Sequence, residues 1–396
     1  MANLIGSVAT NEGNQTSRVY DFSRDIVTLS AFTPWLYNLA LAQEKPSIDI
    51  RFQWDEIDYS GAITAINATG GYGTGITSFV VDDASIFTPN DNVINLRTQE
   101  IYTVTTVTVA TNTIVVLRDQ TDSTSKLAAL VDGDTLMIIG AGMEEGSTIP
   151  TSNIADSNSV YNYCQIFREA FNLTGSRLRT MGTPGMDMEE ISTRKGEEFI
   201  RNIERAFMFG SRDVNTTNFG EVRHNTGGLN YFIQTNVESV GGTMTQAAFV
   251  TFLAEHAFDE GSDEKWMFAG ETIRGMLSAF TLPYWQTTST VGAVAGLNVT
   301  SYTAPAGQIL NVVSHKLLKG DTALSQMAFI VDPSELRLRY TQNPMAPVNN
   351  GQMKLYEYGI DKTTVDAQVN EYFAEIGFEV RNERKHAILK GVTGAA

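Results

Sequence analysis

The sequence is poor in residues that bind metals or form cross-links. It has one cysteine, Cys164, and four histidines, His224, His256, His315 and His386, among 396 residues. A single cysteine excludes an intramolecular disulfide framework, and we expect it to be an ordinary buried side chain in a reducing compartment. The histidines stand far apart, and none has a second ligand at helical spacing, which argues against a structural zinc site.

Basic residues and long apolar runs are also lacking. The chain has 28 lysines and arginines against 45 acidic residues, a net charge of −17. Proteins that coat nucleic acid need clustered basic side chains, so this balance argues against that class. No apolar run approaches the length of a membrane span, and the N-terminus MANLIGSVATNEGNQTS has no signal-peptide pattern. We therefore expect a soluble protein made in a cytoplasm.

Motifs for catalysis and cofactor binding are missing as well. In GAGMEEG, at 140–146, the third glycine comes one residue too late for a dinucleotide fingerprint. GGYGTG, at 70–75, lacks the Lys-Ser or Lys-Thr of a phosphate-binding loop. The chain has neither a G-x-S-x-G elbow nor an EF-hand loop. Acidic pairs of the glycosidase kind are inevitable in so acidic a chain and decide nothing. We expect no enzyme, no catalytic residue, no cofactor and no metal.

The strongest positive signal is a long amphipathic helix predicted over 187–210. Its apolar packing face comprises Met188, Ile191, Phe199, Ile203 and Ala206. Its opposite, charged face comprises Glu190, Arg194, Glu197, Arg201 and Glu204. These charges alternate in sign at spacings of three and four, where each pair adds a few tenths of a kcal/mol. Asp187 with Glu190 suggests an N-terminal cap, and Gly210 is the residue type that ends helices.

Two strands are predicted to flank a distinct β-rich segment. The alternation in IDIRFQWDEIDYS, from Ile48, predicts a strand whose one face carries Ile48, Ile50, Phe52, Trp54 and Glu56. A second strand, Asp134 to Ile139, could pair with it in a long hairpin. Between them, 61–133 repeats short β-rich runs, ITSFVV, DNVINL, QEIYTVTTVTV and NTIVVLRD, with turn residues between. These runs predict a small self-contained β-barrel or sandwich inserted at a loop tip.

The rest of the chain mixes both kinds of element. Residues 1–47 are predicted to form a polar arm lying on other surfaces, with one aromatic-apolar segment from Ile26 to Leu41. Thr245 is predicted to cap a helix through Phe258, and a second helix spans Glu271 to Phe280. Strands are predicted at Tyr161 to Leu173, Lys265 to Phe268, Leu297 to Thr303, Gln308 to Leu318, Met327 to Val331, Thr364 to Glu379 and His386 to Leu389. Because helices and strands are segregated, the fold class is α+β.

This order of parts resembles the major capsid (major head) proteins of tailed bacteriophages with the Hong Kong 97 fold. More narrowly, it is similar to a subfamily with a β-rich insertion in the extended loop. The matching segments are WDEIDYSGA (54–62), FTPNDNVI (87–94), QEIYTVTTV (99–107), TIVVLRD (113–119), DGDTLMIIGAGMEEGS (132–147) and YCQIFREAFNLTGS, followed by the long helix. The resemblance spans about residues 40–235 and then becomes looser, resting on Val331-Asp332-Pro333 and the last strands.

The resemblance implies an architecture and a role. The implied parts are an N-terminal arm (1–47), an extended hairpin loop (48–150) holding the insertion (61–133), a peripheral domain (151–220 and 326–396) with the spine helix (187–210), and an axial domain (221–325). The family has no catalytic site. Its members assemble into pentamers and hexamers of an icosahedral shell around packaged double-stranded DNA, in the virion, after synthesis in the host bacterial cytoplasm.

The resemblance also implies partners. These are copies of the chain itself, a portal, scaffolding or decoration proteins, and DNA enclosed without sequence-specific binding, with no membrane. Hairpin residues expected between subunits are Arg51, Trp54, Asp55, Glu56, Glu144 and Glu145. Some members cross-link their shells through a hairpin lysine, but Lys126 is the only lysine in this loop, so we expect no such cross-links. Some members carry a cleaved N-terminal scaffolding segment; since no long helical prefix is predicted here, we expect a separate scaffolding protein if one is used.

Two other functions stay open at this stage. One is a tail or decoration protein that binds through its β-rich insertion, although tail tubes rarely need a long helix between hairpin and mixed domain. The other is an acidic hydrolase, for which no nucleophile, metal set or phosphate loop can be named. Electron microscopy separates closed shells from tubes and from small particles.

Overall fold

Helices and strands both occur along the chain, as the α+β class predicts. The structure is a computed structural model and describes residues 33–57, 62–119, 126–143, 145–146, 157–179, 188–216, 220–281, 301–304, 307–342, 351–358 and 366–396. Two compact units are Met1–Trp54 with Val160–Ala396, and Asp55–Ser159. The α-helices are α1 (Trp35–Leu41), α2 (Gly175–Arg179), α3 (Met188–Phe209), α4 (Leu229–Phe232), α5 (Gln246–Phe252), α6 (Glu271–Thr281) and α7 (Thr322–Ser325).

The strands fall into a barrel, two larger sheets and two ribbons. In chain order they are β1 (Lys45–Ser47), β2 (Arg51–Glu56), β3 (Ile63–Ala65), β4 (Ser78–Val80), β5 (Asp91–Asn95), β6 (Ile101–Thr108), β7 (Thr113–Leu117), β8 (Thr135–Ala141), β9 (Asn158–Tyr163), β10 (Gln165–Thr174), β11 (Asp213–Asn215), β12 (Arg223–Asn225), β13 (Val237–Met244), β14 (Glu264–Ala269), β15 (Ser301–Thr303), β16 (Ile309–Ser314), β17 (Ala328–Val331), β18 (Leu336–Thr341), β19 (Lys354–Tyr358), β20 (Ala367–Val380) and β21 (Ala387–Ala395).

The β-rich segment forms a six-stranded barrel in the order β3-β8-β5-β6-β7-β4. Its end strands meet again through the antiparallel bridge between Ile66 and Val81, which closes the sheet on itself. Inward side chains such as Val93, Tyr102 and Ile114 are fully buried in a hydrophobic cluster made only of barrel residues. The alternating Thr and Val runs favour this arrangement because every second residue faces the interior. Since β8 belongs to the barrel, the β domain extends beyond the predicted end at 133.

The largest mixed sheet has the order β13-β21-β17-β14-β16-β15. Every residue of β17, AFIV, is buried. Phe329 and Val331 join one hydrophobic cluster, which includes α3, while Ala328 and Ile330 join another, which includes α5 and α6. A strand covered on both faces needs an uninterrupted apolar run. Because β17 and β21 come from 326–396, the ranges predicted as peripheral and axial domains share this sheet.

The spine helix α3 begins one residue later and ends one residue earlier than predicted. It packs beside β10 and β20, which pair in the five-stranded sheet β1-β18-β20-β10, with β19 also on β20. The ring of Phe207 stacks on that of Phe378, with centroids 4.7 Å apart. A Cβ at Gly196 would lie 3.0 Å from Tyr372 Oη, so glycine permits the close approach of helix and strand. Gly210 follows the helix where a side chain would collide with the carbonyl oxygen of Ala206.

The predicted faces of α3 need one correction. On the packing face, Phe199 and Ile203 are buried, while Met188, Ile191 and Ala206 are half-buried. On the charged face, Arg194 and Glu197 are exposed, and Glu190 and Arg201 are half-buried. Glu204 was placed wrongly, because its side chain is completely buried. The last turns of α3 are covered by α1, a non-local contact that the periodicity of the helix itself does not contain. Asp187 of the predicted cap lies outside the described residues.

The predicted hairpin is also wrong in its pairing. β2 pairs with β9, whereas β8 pairs with β3 and β5 inside the barrel. The strand predicted from Tyr161 to Leu173 is two strands, β9 and β10, separated by Cys164. Cys164 is buried as expected, beside Phe52 and Trp54, and burial raises the pKa of its thiol to about 12. Ile48, predicted on the apolar face of the first strand, precedes β2 and is 83 % exposed.

Part of the predicted arm belongs to the core of the chain. In α1, Leu36 and Ala40 are fully buried, and β1 pairs in parallel with β18. Residues 33–47 therefore pack on this chain rather than on other surfaces, while 1–32 lie outside the described residues. The Thr245 cap is confirmed, since Thr245 Oγ1 accepts from Ala248 N at 3.1 Å, although Leu253–Ala257 continues α5 as a π-helical turn. Strands β1, β11, β12, β13, β18 and β19 were not predicted.

Candidate assembly surfaces

A buried carboxylate joins three segments of the chain at the end of the spine helix. Glu204 Oε1 accepts from Leu36 N, on α1, at 3.0 Å. It lies 2.6 Å from Nε2 of His315, and both side chains are fully buried. His315 Nδ1 accepts from Leu317 N at 3.3 Å, so the proton of a neutral imidazole is on Nε2 and is donated to Glu204. Glu204, which was predicted on the exposed face of α3, thus connects α1 and the segment after β16 to α3.

Glu204→Leu should destabilise the packing of α1 on α3 by about 2 kcal/mol. Two buried donors, Leu36 N and His315 Nε2, lose their acceptor in this variant. Glu204→Gln keeps a carbonyl oxygen for both donors and should cost about half as much or less. Hydrogen exchange of residues 35–41 in unassembled subunits measures the effect. Glu197→Leu, at an exposed position of the same helix, is the control. Equal protection of α1 in Glu204→Leu and wild type would contradict the assigned role.

A second buried polar cluster lies at the start of β21, around His386 and Lys265. His386 is fully buried; its Nδ1 accepts from Asp332 N at 3.2 Å and its Nε2 lies 3.2 Å from Arg381 O. Lys265, also fully buried, donates to the carbonyl oxygens of Ala257, Glu260 and Lys385 at 2.5–2.7 Å. Burial, followed by the charge of Lys265, lowers the pKa of His386 to about 4. The histidine is therefore neutral in the folded chain at neutral pH.

The barrel has a buried ion pair of its own. Arg118 Nη2 lies 2.7 Å from Glu100 Oε2, and the two side chains are 4 % and 0 % exposed. Arg118 also donates to the carbonyl oxygens of Gly73, Thr74 and Ile76, and to that of Ala128. One guanidinium therefore holds the 73–76 and 126–130 segments against β7.

The hairpin residues predicted to lie between subunits differ in how far their side chains are exposed. Trp54 is 6 % exposed and packs on Phe52 and Phe232, so it serves the core of the chain. That prediction is wrong for Trp54 because the alternation in β2 places it on the covered face. Asp55 is exposed and accepts from Ser159 Oγ at 2.5 Å. Glu56 is half-buried, Glu145 is exposed, and Glu144 lies outside the described residues.

Arg51 takes part in an arrangement that the sequence did not reveal. Its Cζ lies 4.0 Å from the ring centroid of Tyr161, on the paired strand β9. Arg212 Cζ lies 3.8 Å from the same centroid, and Arg212 Nη1 donates to Tyr161 O at 2.7 Å. We call Arg51, Tyr161 and Arg212 the arginine–tyrosine patch. No local pattern links these three positions, because strand pairing and the turn after α3 bring them together.

Exposed apolar side chains are spread over both units. In the barrel unit they include Ile63, Ile76, Leu117, Leu127, Val131 and Ile139, and in the other unit Ile166, Leu355, Tyr356 and Tyr358. The last three lie on β19, which in the described structure pairs only with β20 and so has an outer edge. Edge strands with apolar side chains are places where another chain can bind.

One groove and two absences complete the description of the residues that the structure describes. An open groove of about 380 Å³ between β13 and α5 is lined by Val240, Met244, Phe252, Glu238, Glu255 and His256. Within the described part of the chain, no three His, Cys, Asp or Glu side chains are grouped so that they could hold a metal ion. Across the same residues, no helix is both long and apolar enough to span a bilayer.

Comparisons with known proteins point to one family. A family model described as SU10 major capsid protein matches residues 8–393. The major capsid protein of Pseudomonas phage PaMx41 is 26% identical over 292 residues, which are 68% of this chain and 68% of that protein. Two similar solved structures are the capsid of a native GTA particle computed with C5 symmetry and Mycobacterium phage Bobi. Both matches cover 99% of this chain and 100% of the other, with 10% and 8% identity and a TM-score of 0.49.

Proposed function

Because the chain belongs to the SU10 major capsid protein family, we propose that it assembles into the hexamers and pentamers of an icosahedral phage head enclosing double-stranded DNA. The family match over residues 8–393 carries this proposal. The role is structural and not enzymatic. A tail or decoration protein and an acidic hydrolase, the alternatives from the sequence, have no comparable support.

The order of elements supports the finer parts of the proposal. The paired strands β2 and β9, the spine helix α3 and the sheet with α5 and α6 follow one another in the order that the resemblance to the Hong Kong 97 fold implies. Of the predicted arm (1–47), we assign 1–32 to an arm, since 33–47 pack on this chain. We assign 48–150 to the extended loop with its barrel, 151–220 and 326–396 to the peripheral domain, and 221–325 to the axial domain, whose sheet β17 and β21 complete. The shell would be assembled in the host cytoplasm with a portal, and with scaffolding or decoration proteins where the virus encodes them.

Electron microscopy of the expressed full-length protein tests the function. We expect closed, icosahedral shells, alone or after addition of a scaffolding protein. Tubes or rings would support the tail alternative instead. Monodisperse particles of one chain, at every concentration and with the scaffold present, would contradict a shell-forming role.

The assembled shell should not be covalently cross-linked. Lys126 is the only lysine in the extended loop, and the side chain is exposed in the barrel. Boiled shells on a denaturing gel should give a single band at the mass of the chain. A ladder of multimers that persists after reduction would contradict this prediction, and Lys126→Arg would then show whether that lysine forms the bond.

A further inference from the structure

We propose that the arginine–tyrosine patch binds carboxylate side chains of a second copy of this chain. The inference rests on the proposed function, since it assigns one of the contacts through which copies join. It concerns Arg51 on β2, Tyr161 on β9 and Arg212 after α3, all within one compact unit.

The patch presents two guanidinium groups without a carboxylate partner. Among the described residues, no Asp or Glu oxygen lies within ion-pair distance of Arg51 or Arg212, and Arg51 is exposed. Other arginines, such as Arg97, Arg118 and Arg168, pair with carboxylates of the same chain. Because the chain has 45 acidic and 28 basic residues, its carboxylates outnumber its cations, and these two neighbouring arginines are available to a carboxylate of another copy.

Stacking on Tyr161 prepares both groups for planar recognition. The ring is 4.0 Å and 3.8 Å from the two Cζ atoms and limits how far each guanidinium can turn. An N–H edge of a guanidinium donates two parallel hydrogen bonds to one carboxylate, and its orientation determines the angle of approach. Because the stacked groups are held in advance, less conformational entropy is lost on binding.

The surroundings favour a carboxylate over a phosphate backbone. Asp49 and Asp213 are exposed beside Arg51 and Arg212 in sequence, and because their repulsion of an anion grows with its charge, they disfavour a polyphosphate more than a single carboxylate. The chain itself supplies suitable partners: on α3, Glu189 and Glu197 are exposed and make no ion pair among the described residues. A neighbouring copy therefore carries free carboxylates in excess, which fits a contact between positive and negative surfaces of identical chains.

Assembly of charge variants of the full-length protein tests the inference. Arg51→Gln should raise the protein concentration needed for half-assembly by about tenfold, because the charged hydrogen bonds are lost. Arg51→Lys keeps the charge but not the planar fork, and should fall between Arg51→Gln and wild type. Arg205→Gln is the matched control: Arg205 is exposed on α3, outside the patch, and donates to Asn202. Light scattering at low and high salt gives the assembly curves.

The outcomes separate this inference from the function beneath it. If wild type forms shells and Arg51→Gln assembles at the same concentration, the inference is wrong and the function stands. If wild type joins no copies under any condition, both are wrong. If Arg51→Gln shells form normally but retain less DNA, the patch faces nucleic acid and the inference is overturned. Unchanged thermal unfolding of unassembled Arg51→Gln subunits would show that any assembly defect arises at the contact.

Discussion

Arg118→Met should destabilise the barrel by about 3–5 kcal/mol, the largest single effect we expect in this chain. The substitution leaves Glu100 buried without its cation, and it releases the backbone carbonyls of the 73–76 segment. Hydrogen exchange of β4 and β7 in unassembled full-length protein should therefore accelerate strongly. The six-stranded sheet that contains β13 and β21 should keep its exchange rates, since it belongs to the other compact unit.

A double substitution separates the effect of the buried charge on barrel stability from the effect of lost packing. Glu100→Gln combined with Arg118→Met removes both charges, so it should recover part of the lost protection. Arg97→Met is a useful control, because Arg97 pairs with Asp134 in the same barrel but is 47 % exposed. That variant should cost less than Arg118→Met, about 1–2 kcal/mol, because Asp134 is 3 % exposed but still accepts from Val131 N and Asn95 Nδ2. If the two single arginine variants lost the same protection, burial would not be the decisive factor.

Acidification should destabilise the folded chain through His386, by about 3 kcal/mol between pH 6.5 and pH 4. The pKa of His386 is lowered to about 4 in the folded chain, from an ordinary value of 6.5. In this window the unfolded chain binds a proton that the folded chain excludes, so stability falls as the pH falls. The geometry gives the reason: a proton on Nδ1 would face the N–H of Asp332.

His386→Asn offers the comparison. The asparagine can accept from Asp332 N and does not titrate, so its pH curve should be flatter than that of wild type by about the same 3 kcal/mol. Urea unfolding of unassembled subunits at pH 7, 5.5 and 4.5, followed by tryptophan fluorescence, gives both curves. Parallel curves would show that carboxylates elsewhere, and not His386, govern acid stability.

Local patterns in the sequence predicted most single elements. The 3.6-residue periodicity of 188–209, the cap at Thr245 and the alternating runs of the barrel each gave the right structure, because each depends on neighbours in sequence. The α+β class is confirmed by the structure, and the resemblance to phage major capsid proteins by the family match. β13 escaped prediction because Gly241 and Gly242 interrupt its alternation at a bulge.

Pairing between distant strands and the contacts of polar side chains were not predictable in the same way. β2 and β9 are about a hundred residues apart. By its sequence β8 is an equally good candidate to pair with β2, but it pairs with β3 and β5 inside the barrel. Glu204 fits the charged face of α3 by spacing, yet α1 covers it. The arginine–tyrosine patch joins three separate segments, of which only Arg51 was a candidate from the sequence.

The closed barrel is a part of the chain that could be replaced as a whole by another domain. Its first and last strands, β3 and β8, are antiparallel neighbours, and Ile138 N donates to Ala62 O at 2.8 Å. The chain therefore enters and leaves the barrel at adjacent positions. If the barrel were deleted, a short loop could join the two remaining chain ends. A foreign domain with adjacent termini could be grafted there, which would make the position suitable for displaying an antigen or an enzyme in many copies.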